Sequence, residues 1–290
     1  MQLPVQWLKR RCDTHKGDYG HAFVLGGSVG LTGSICLCAK AVLKIGAGLV
    51  TVGIPASLNP IFEIKLTEEM SLPLVEEQGY LSYGALKEIR KKINKFDVVI
   101  LGPGASIRPS AIKLMVSIIK SIDKPLIVDA DAITALSTNL NILNSRKTNK
   151  LILTPHLGEF SRLIKLDIGE IKKKRKKLVK DFALRYNLIL VLKGHTTLVS
   201  DGKEIFENNT GNPGMATAGM GDILAGIITG LVVQGLDCFE AAKIGVHLHG
   251  LSADYAVKDK TETCLIASDV LQYLPEGLKS FQKEFDNLPA

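Results

Sequence analysis

Six short, largely apolar runs without strict polar alternation set the tightest limit on what this chain can fold into: 21–25, 49–54, 98–101, 126–128, 151–153 and 188–192. A strand that is apolar on both of its alternating sides must be covered on both faces, which is the condition of a parallel sheet clad in helices. Helical patterns at 34–45, 110–122 and 171–186 lie between the runs. Strand and helix therefore alternate, and the sheet is expected to be mostly parallel and doubly wound. Two β-prone pieces, 196–200 and 204–207, joined at Asp201-Gly202, predict an antiparallel hairpin at the sheet's edge. From Ile223 onward the chain reads as three helices, 223–233, 239–257 and 267–273. No repeat and no linker-like composition break interrupts the 290 residues. One α/β domain over 1–290 is the simpler reading, since such folds fill about 200 to 300 residues as a unit.

Composition narrows the function classes. Hydrophobic residues make up 46% of the chain and charged residues 22%, enough apolar material for a large core. No apolar run approaches the roughly 18 to 20 residues of a membrane span, and 1–16 lacks the apolar block of a secretion signal. A cytoplasmic protein is expected. The five cysteines are scattered, and Cys36 and Cys38 lack the two-residue spacer of common redox and zinc motifs, so all five read as reduced and structural. Six positive charges of the net +7 fall in the single run from Lys172 to Lys177. With no aromatics interleaved, the run reads as a solvated helix face rather than a nucleic-acid surface.

In an open parallel sheet, ligands bind beyond the carboxyl ends of the strands. Gly26-Gly27-Ser28, Gly102-Pro103-Gly104, Asp129-Ala130-Asp131, Thr154-Pro155-His156 with Glu159, and Lys193-Gly194 each directly follow an apolar run. The strongest local signal is the loop from Thr210 to Asp222, which runs straight into a helix. Its glycines permit close backbone approach, and the unpaired amides at a helix start favour an anion. Asp222 is out of place beside bound phosphate unless it serves as a base or a metal partner; the alternative is a plain helix cap. No G-x-x-x-x-G-K-[ST] occurs, and no G-x-G-x-x-G, which argues against a P-loop ATPase and a Rossmann dehydrogenase. His156 reads either as a core histidine or as a site residue. His247 and His249, two apart on a helix, point to different faces and are assigned to packing. His15, Lys16 and Asp18 read equally as a cover over phosphates or an anchor for the first strand.

Taken together, His15-Lys16-Gly17-Asp18-Tyr19-Gly20, Gly26-Gly27-Ser28, Gly46-Ala47-Gly48, Gly102-Pro103-Gly104, Thr154-Pro155-His156 with Glu159, Lys193-Gly194 and the loop from Asn212 to Asp222 resemble the ADP- or ATP-dependent NAD(P)H-hydrate dehydratases of the ribokinase-like superfamily. The resemblance implies a three-layer sandwich and a repair reaction. Hydrated NADH or NADPH is phosphorylated on its C6 hydroxyl at a nucleotide's expense and then loses phosphate. It implies Asp222 as catalytic base and Ser34, Gly104, His156 and Asp222 as substrate contacts. It also implies Lys193, Gly194, His195, Thr196 and Thr197 around the nucleotide, with Ala218, Gly219, Met220 and Gly221 as the anion loop. Mg²⁺ is expected, with protein ligands not evident beyond Glu159 as a candidate. Relatives form homo-oligomers, often tetramers, and some carry an N-terminal epimerase domain; here that activity is expected from a separate protein. The sequence departs from the family's usual pattern at Gly33-Ser34-Ile35, where Gly-Ala-Ala is common, and at Ala105-Ser106, where Leu-Gly is common. An alcohol kinase of the same superfamily, acting on a vitamin precursor, is the competing expectation.

Overall fold

The structure is a computed structural model that describes residues 10–286, with backbone alone for 281–286. Most of the stretch read for a secretion signal, residues 1–9, lies outside the described residues. The chain opens with β1 (His21–Leu25), α1 (Thr32–Lys44), β2 (Leu49–Pro55), α2 (Asn59–Lys65) and β3 (Met70–Leu74). A small hairpin of β4 (Glu76–Glu77) and β5 (Tyr80–Leu81) leads to α3 (Leu86–Lys92), β6 (Val98–Leu101), α4 (Pro109–Ser121), β7 (Leu126–Val128) and α5 (Asp131–Ser137). Then come β8 (Leu151–Leu153), α6 (Leu157–Ile164), α7 (Ile168–Lys173), α8 (Arg175–Tyr186) and β9 (Ile189–Leu192). The hairpin β10 (Leu198–Ser200) and β11 (Ile205–Glu207) precedes α9 (Met220–Val233), α10 (Cys238–Asp259), α11 (Ala267–Gln272) and α12 (Leu274–Asp286).

Nine strands form one sheet in the order β11-β10-β9-β8-β7-β6-β1-β2-β3. All pairings are parallel except β9 with β10 and β10 with β11, so the expected edge hairpin is present. Alternate residues of each strand feed two separate cores. Ala22 and Val24 of β1 pack with α1, α9 and α10, whereas Phe23 and Leu25 pack with α4 and its neighbours on the other face. This double burial is why the runs carry no polar alternation.

Several boundaries differ from the sequence reading. The edge strand β3 was not anticipated, because Pro73 lies within it; an edge strand tolerates the missing amide. The helix read at 171–186 breaks at Lys174, whose φ of −122° and ψ of 22° leave the helical region. No apolar residue lies between Ile171 and Leu178 to hold a continuous helix on the core. The first of the three C-terminal helices read from sequence begins at Met220, not at Ile223, and is capped by Gly219 in the left-handed region (φ 88°).

Candidate functional site

The sheet order reverses between β1 and β6: the chain leaves β1 for β2 on one side and returns through β6 on the other. Such a switch point opens a crevice at the strands' carboxyl ends. Here the two loops touch. Gly27 N donates to Pro103 O at 2.9 Å, and Ser28 Oγ donates to Gly104 O at 2.8 Å. A Cβ on Gly26 would sit 2.2 Å from Pro103 O, and one on Gly102 (φ 121°) only 1.9 Å from Asp129 O, so the close approach requires glycine at both.

Helix α9 delivers Asp222 to this crevice. Asp222 is the third residue of the helix, and its carboxylate accepts a 2.6 Å hydrogen bond from Ser34 Oγ of α1. The reading of Asp222 as a simple cap is thereby overturned: Gly219 holds the cap position, and the carboxylate turns across to α1. The amides of Met220, Gly221 and Asp222 lie in the first turn, where no intrahelical acceptor exists. Burial pushes the Asp222 pKa up to about 6, opposed by the Ser34 hydrogen bond, raised further by Asp129 and opposed again by Lys193. Gly104, at φ 62°, sits over the same spot, with its missing Cβ 3.3 Å from Ser34 Cβ. The Met220 side chain is buried, so only its backbone faces the loop.

A second group comes from β7, β8 and β9. Lys193 Nζ pairs with Asp129 Oδ1 at 2.8 Å, and Thr154 Oγ1 donates to the same oxygen at 2.7 Å. Burial pulls the Lys193 pKa down, but Asp129 and Glu159 outweigh it and the pKa ends raised, so the ammonium stays charged. A Cβ on Gly221 would lie 3.2 Å from Lys193 Nζ, so this cation stands beside the first turn of α9. His156 caps α6: its Nδ1 accepts from the amides of Gly158 (3.0 Å) and Glu159 (3.2 Å), and its own amide donates to Glu159 Oε2 at 2.8 Å. The neutral ring thus carries its proton on Nε2. Burial, then Lys193, depress its pKa. Its side chain is 55% exposed, which excludes the core-histidine reading. Glu159 is raised by burial to about 7, with Lys193 opposing and Asp129 adding.

The 193–197 loop connects β9 to β10. Lys193 N donates to Pro155 O at 2.8 Å, Thr197 Oγ1 donates to Gly194 O at 3.1 Å, and Thr196 adopts φ 62°. One partner of this loop escaped the sequence reading. Arg175 donates to His195 O (2.9 Å), Thr196 O (2.5 Å) and Leu192 O (3.4 Å). The run from Lys172 to Lys177 is therefore not uniformly a solvated face. The available signal was that Arg175 is its only arginine.

The structure also separates residues. His15 and Asp18 pair at 2.8 Å in a turn just before β1 that packs on Gly48, the residue preceding β2, at the amino ends of both strands and opposite the crevice, which supports the anchor reading. His249 is buried in α10, its pKa depressed by burial, and then by Lys193, to about 4. The cysteines are all free, but Cys12 and Cys264 are exposed, so a structural role does not extend to those two. Among the described residues no group of three His, Cys, Asp or Glu side chains is arranged to hold a metal. No helix among them is long and apolar enough to cross a membrane.

Comparison with known proteins shows the family and the fold. A family model described as NAD(P)H-hydrate dehydratase matches residues 22–276. A bifunctional NAD(P)H-hydrate repair enzyme of Moorella thermoacetica is 40% identical over 292 aligned positions, covering all of this chain and 54% of that protein. The chain thus spans about half the length of such relatives. An ADP-dependent (S)-NAD(P)H-hydrate dehydratase of Neisseria meningitidis is 36% identical over 88% of this chain and 83% of its own. Among solved structures, an ADP/ATP-dependent NAD(P)H-hydrate dehydratase of Bacillus subtilis, co-crystallised with ATP/Mg²⁺, superposes with a TM-score of 0.79 at 26% identity over 94% of both chains.

Proposed function

The chain belongs to the NAD(P)H-hydrate dehydratase family, and on that premise we propose that it converts the (6S) hydrates of NADH and NADPH back to the reduced cofactors, using ADP or ATP as phosphoryl donor. Hydroxide leaves poorly from a saturated carbon, whereas phosphate leaves well. In the proposed sequence Asp222 takes the proton of the C6 hydroxyl as its oxygen attacks the nucleotide's terminal phosphorus, and the bond to the departing nucleotide breaks. The ring nitrogen's lone pair then expels inorganic phosphate from C6, and loss of a C5 proton restores the double bond.

Asp222 is the observation that carries this reading. With a pKa of about 6 it is mostly ionised at neutral pH yet basic enough to accept a proton. Ser34 occupies Oδ1 and leaves Oδ2 for substrate. The first-turn amides of α9 and the Lys193 ammonium would stabilise charge on the transferring phosphoryl group. Gly104 and His156, the latter a donor through Nε2, would contact the hydrated ring, and the 193–197 loop would take the nucleotide. Mg²⁺, when bound, would neutralise phosphate charge. Mg²⁺ commonly takes one or two carboxylates, with phosphates and water completing its shell; Glu159, whose Oε2 is held by the His156 amide, would offer it Oε1 alone. We extend the reading to one domain, a cytoplasmic location and a homo-oligomer, up to a tetramer. Ile61, Ile64 and Met70, exposed near the β3 edge, would be covered by another copy.

The test is to incubate the pure protein with hydrated NADH, Mg²⁺ and ADP or ATP, following near-ultraviolet absorbance and inorganic phosphate. Recovery of absorbance with equimolar phosphate is expected. A stable phosphate ester on an alcohol substrate, with no recovery, would make it a kinase instead.

A further inference from the structure

We propose that Arg175 is a positioning residue for the nucleotide, its guanidinium bracing the 193–197 loop so that the amides of Thr196 and Thr197 face the ligand. The inference rests on the reading of that loop as the nucleotide site. Arg175 takes the carbonyls of His195 and Thr196 on two different nitrogens, at 2.9 and 2.5 Å. No cis peptide occurs among the described residues. In a trans peptide the carbonyl and the following amide point in opposite directions. Drawing those two carbonyls toward α8 therefore turns the Thr196 and Thr197 amides away from it.

The loop needs a brace. Thr196 is β-branched and held at φ 62°, a conformation that costs energy and persists only when its surroundings impose it. On the α8 side the loop is backed by a cavity of about 630 Å³, lined by the basic run with Thr196, Leu198 and Glu207. Arg175 lines that space and reaches the loop's carbonyls from it. Its placement is unfavourable for a free cation: Arg175 is the first residue of α8, where the helix dipole opposes positive charge, burial depresses its pKa, and Nε has no partner. The other five residues of the run are lysines, which lack the planar fork that presents donors from two nitrogens in a fixed geometry. The arginine stands where the fork is used.

The experiment compares Arg175→Gln, Arg175→Lys and the exposed control Lys173→Glu in the full chain. Steady-state kinetics are measured in each substrate, alongside calorimetric binding of ADP or ATP. Loss of the charged hydrogen bonds is expected to raise the nucleotide KM and Kd by about ten- to a hundredfold in both Arg175 variants. The saturated kcat and the KM for hydrated NADH should stay within about threefold, the signature of lost binding rather than lost chemistry. Lys173→Glu should match the wild type. Arg175→Lys with wild-type nucleotide affinity would show that charge suffices and overturn the proposal. So would Lys173→Glu weakening the nucleotide as much as Arg175→Gln, or kcat falling with affinity intact. If Arg175→Gln fails to fold, Arg175→Lys still decides the question. If the wild type binds nucleotide but leaves the hydrate unchanged, the dehydratase reading fails while the affinities still judge Arg175.

Discussion

Asp222→Asn retains an acceptor for the Ser34 hydroxyl but not a base, so kcat should fall by about 10²- to 10⁴-fold while ADP and ATP still bind. In the wild type the working form is the carboxylate, and kcat should decline as pH drops through about 6. The Ser34 hydrogen bond lowers that pKa. Ser34→Ala should therefore move the acid limb of the pH profile to higher pH, and a limb that stays in place would detach Ser34 from the base. Stability carries the opposite sign to activity. Between the unfolded carboxyl pKa of about 3.9 and the folded value of about 6, the folded state holds more protons. Stability contributed here is thus full below the lower value and lost as pH rises through the window. Asp222→Asn should gain about 1–2 kcal/mol in denaturant titrations at neutral pH and show no gain near pH 4. Residues such as Gly104, Asp222 and Lys193 were legible in sequence because each interrupts an apolar pattern at a strand or helix end. Arg175 was not, since its charge is shared with its neighbours and only the fold shows which side chain turns inward.

Helices α1 and α9 carry Ser34 and Asp222, and their separation decides whether the 2.6 Å contact forms. Gly226 and Gly230, one turn apart on α9, set that separation. A Cβ at Gly226 would lie 2.3 Å from Cys38 O and 2.7 Å from Ala41 Cβ, and one at Gly230 would lie 2.1 Å from Ile45 Cγ2. Gly226→Ala must push the helices apart, at a cost of about 1–3 kcal/mol. A reduced midpoint in urea is expected together with a lower kcat, because the base loses its partner; an unchanged kcat would mean the spacing is not needed for chemistry. At this scale the central strands were read almost to the residue, since continuous burial leaves a continuous apolar run. The edge was read less well. Thr196 falls outside β10 because its carbonyl goes to Arg175 rather than to a ladder. The hairpin of β4 and β5 turns through Gln78 and Gly79, both at positive φ, a pair less telling in sequence than Asn-Gly.

Across the whole molecule, the parallel order turns local sequence into a site. Loops from β1, β6, β7, β8 and β9 share one end of the sheet only because the strands from β9 through to β3 all point the same way. Sequence placed the unusual residues after those strands, but the order of the strands, and hence the switch between β1 and β6, is a matter of packing that no local pattern encodes. A ligand that binds the native state alone stabilises it by mass action. At a nucleotide concentration about a hundredfold above Kd the gain is about 2.7 kcal/mol. For a chain of this size each kcal/mol raises Tm by about 1.6 °C, so ADP or ATP with Mg²⁺ should raise Tm by roughly 4 °C. Asp222→Asn should keep most of that shift, because the α9 amides and Lys193 remain. A shift absent from both proteins would mean that this end of the sheet does not hold the nucleotide, whereas a shift lost in the variant alone would make Asp222 a binding group rather than a base.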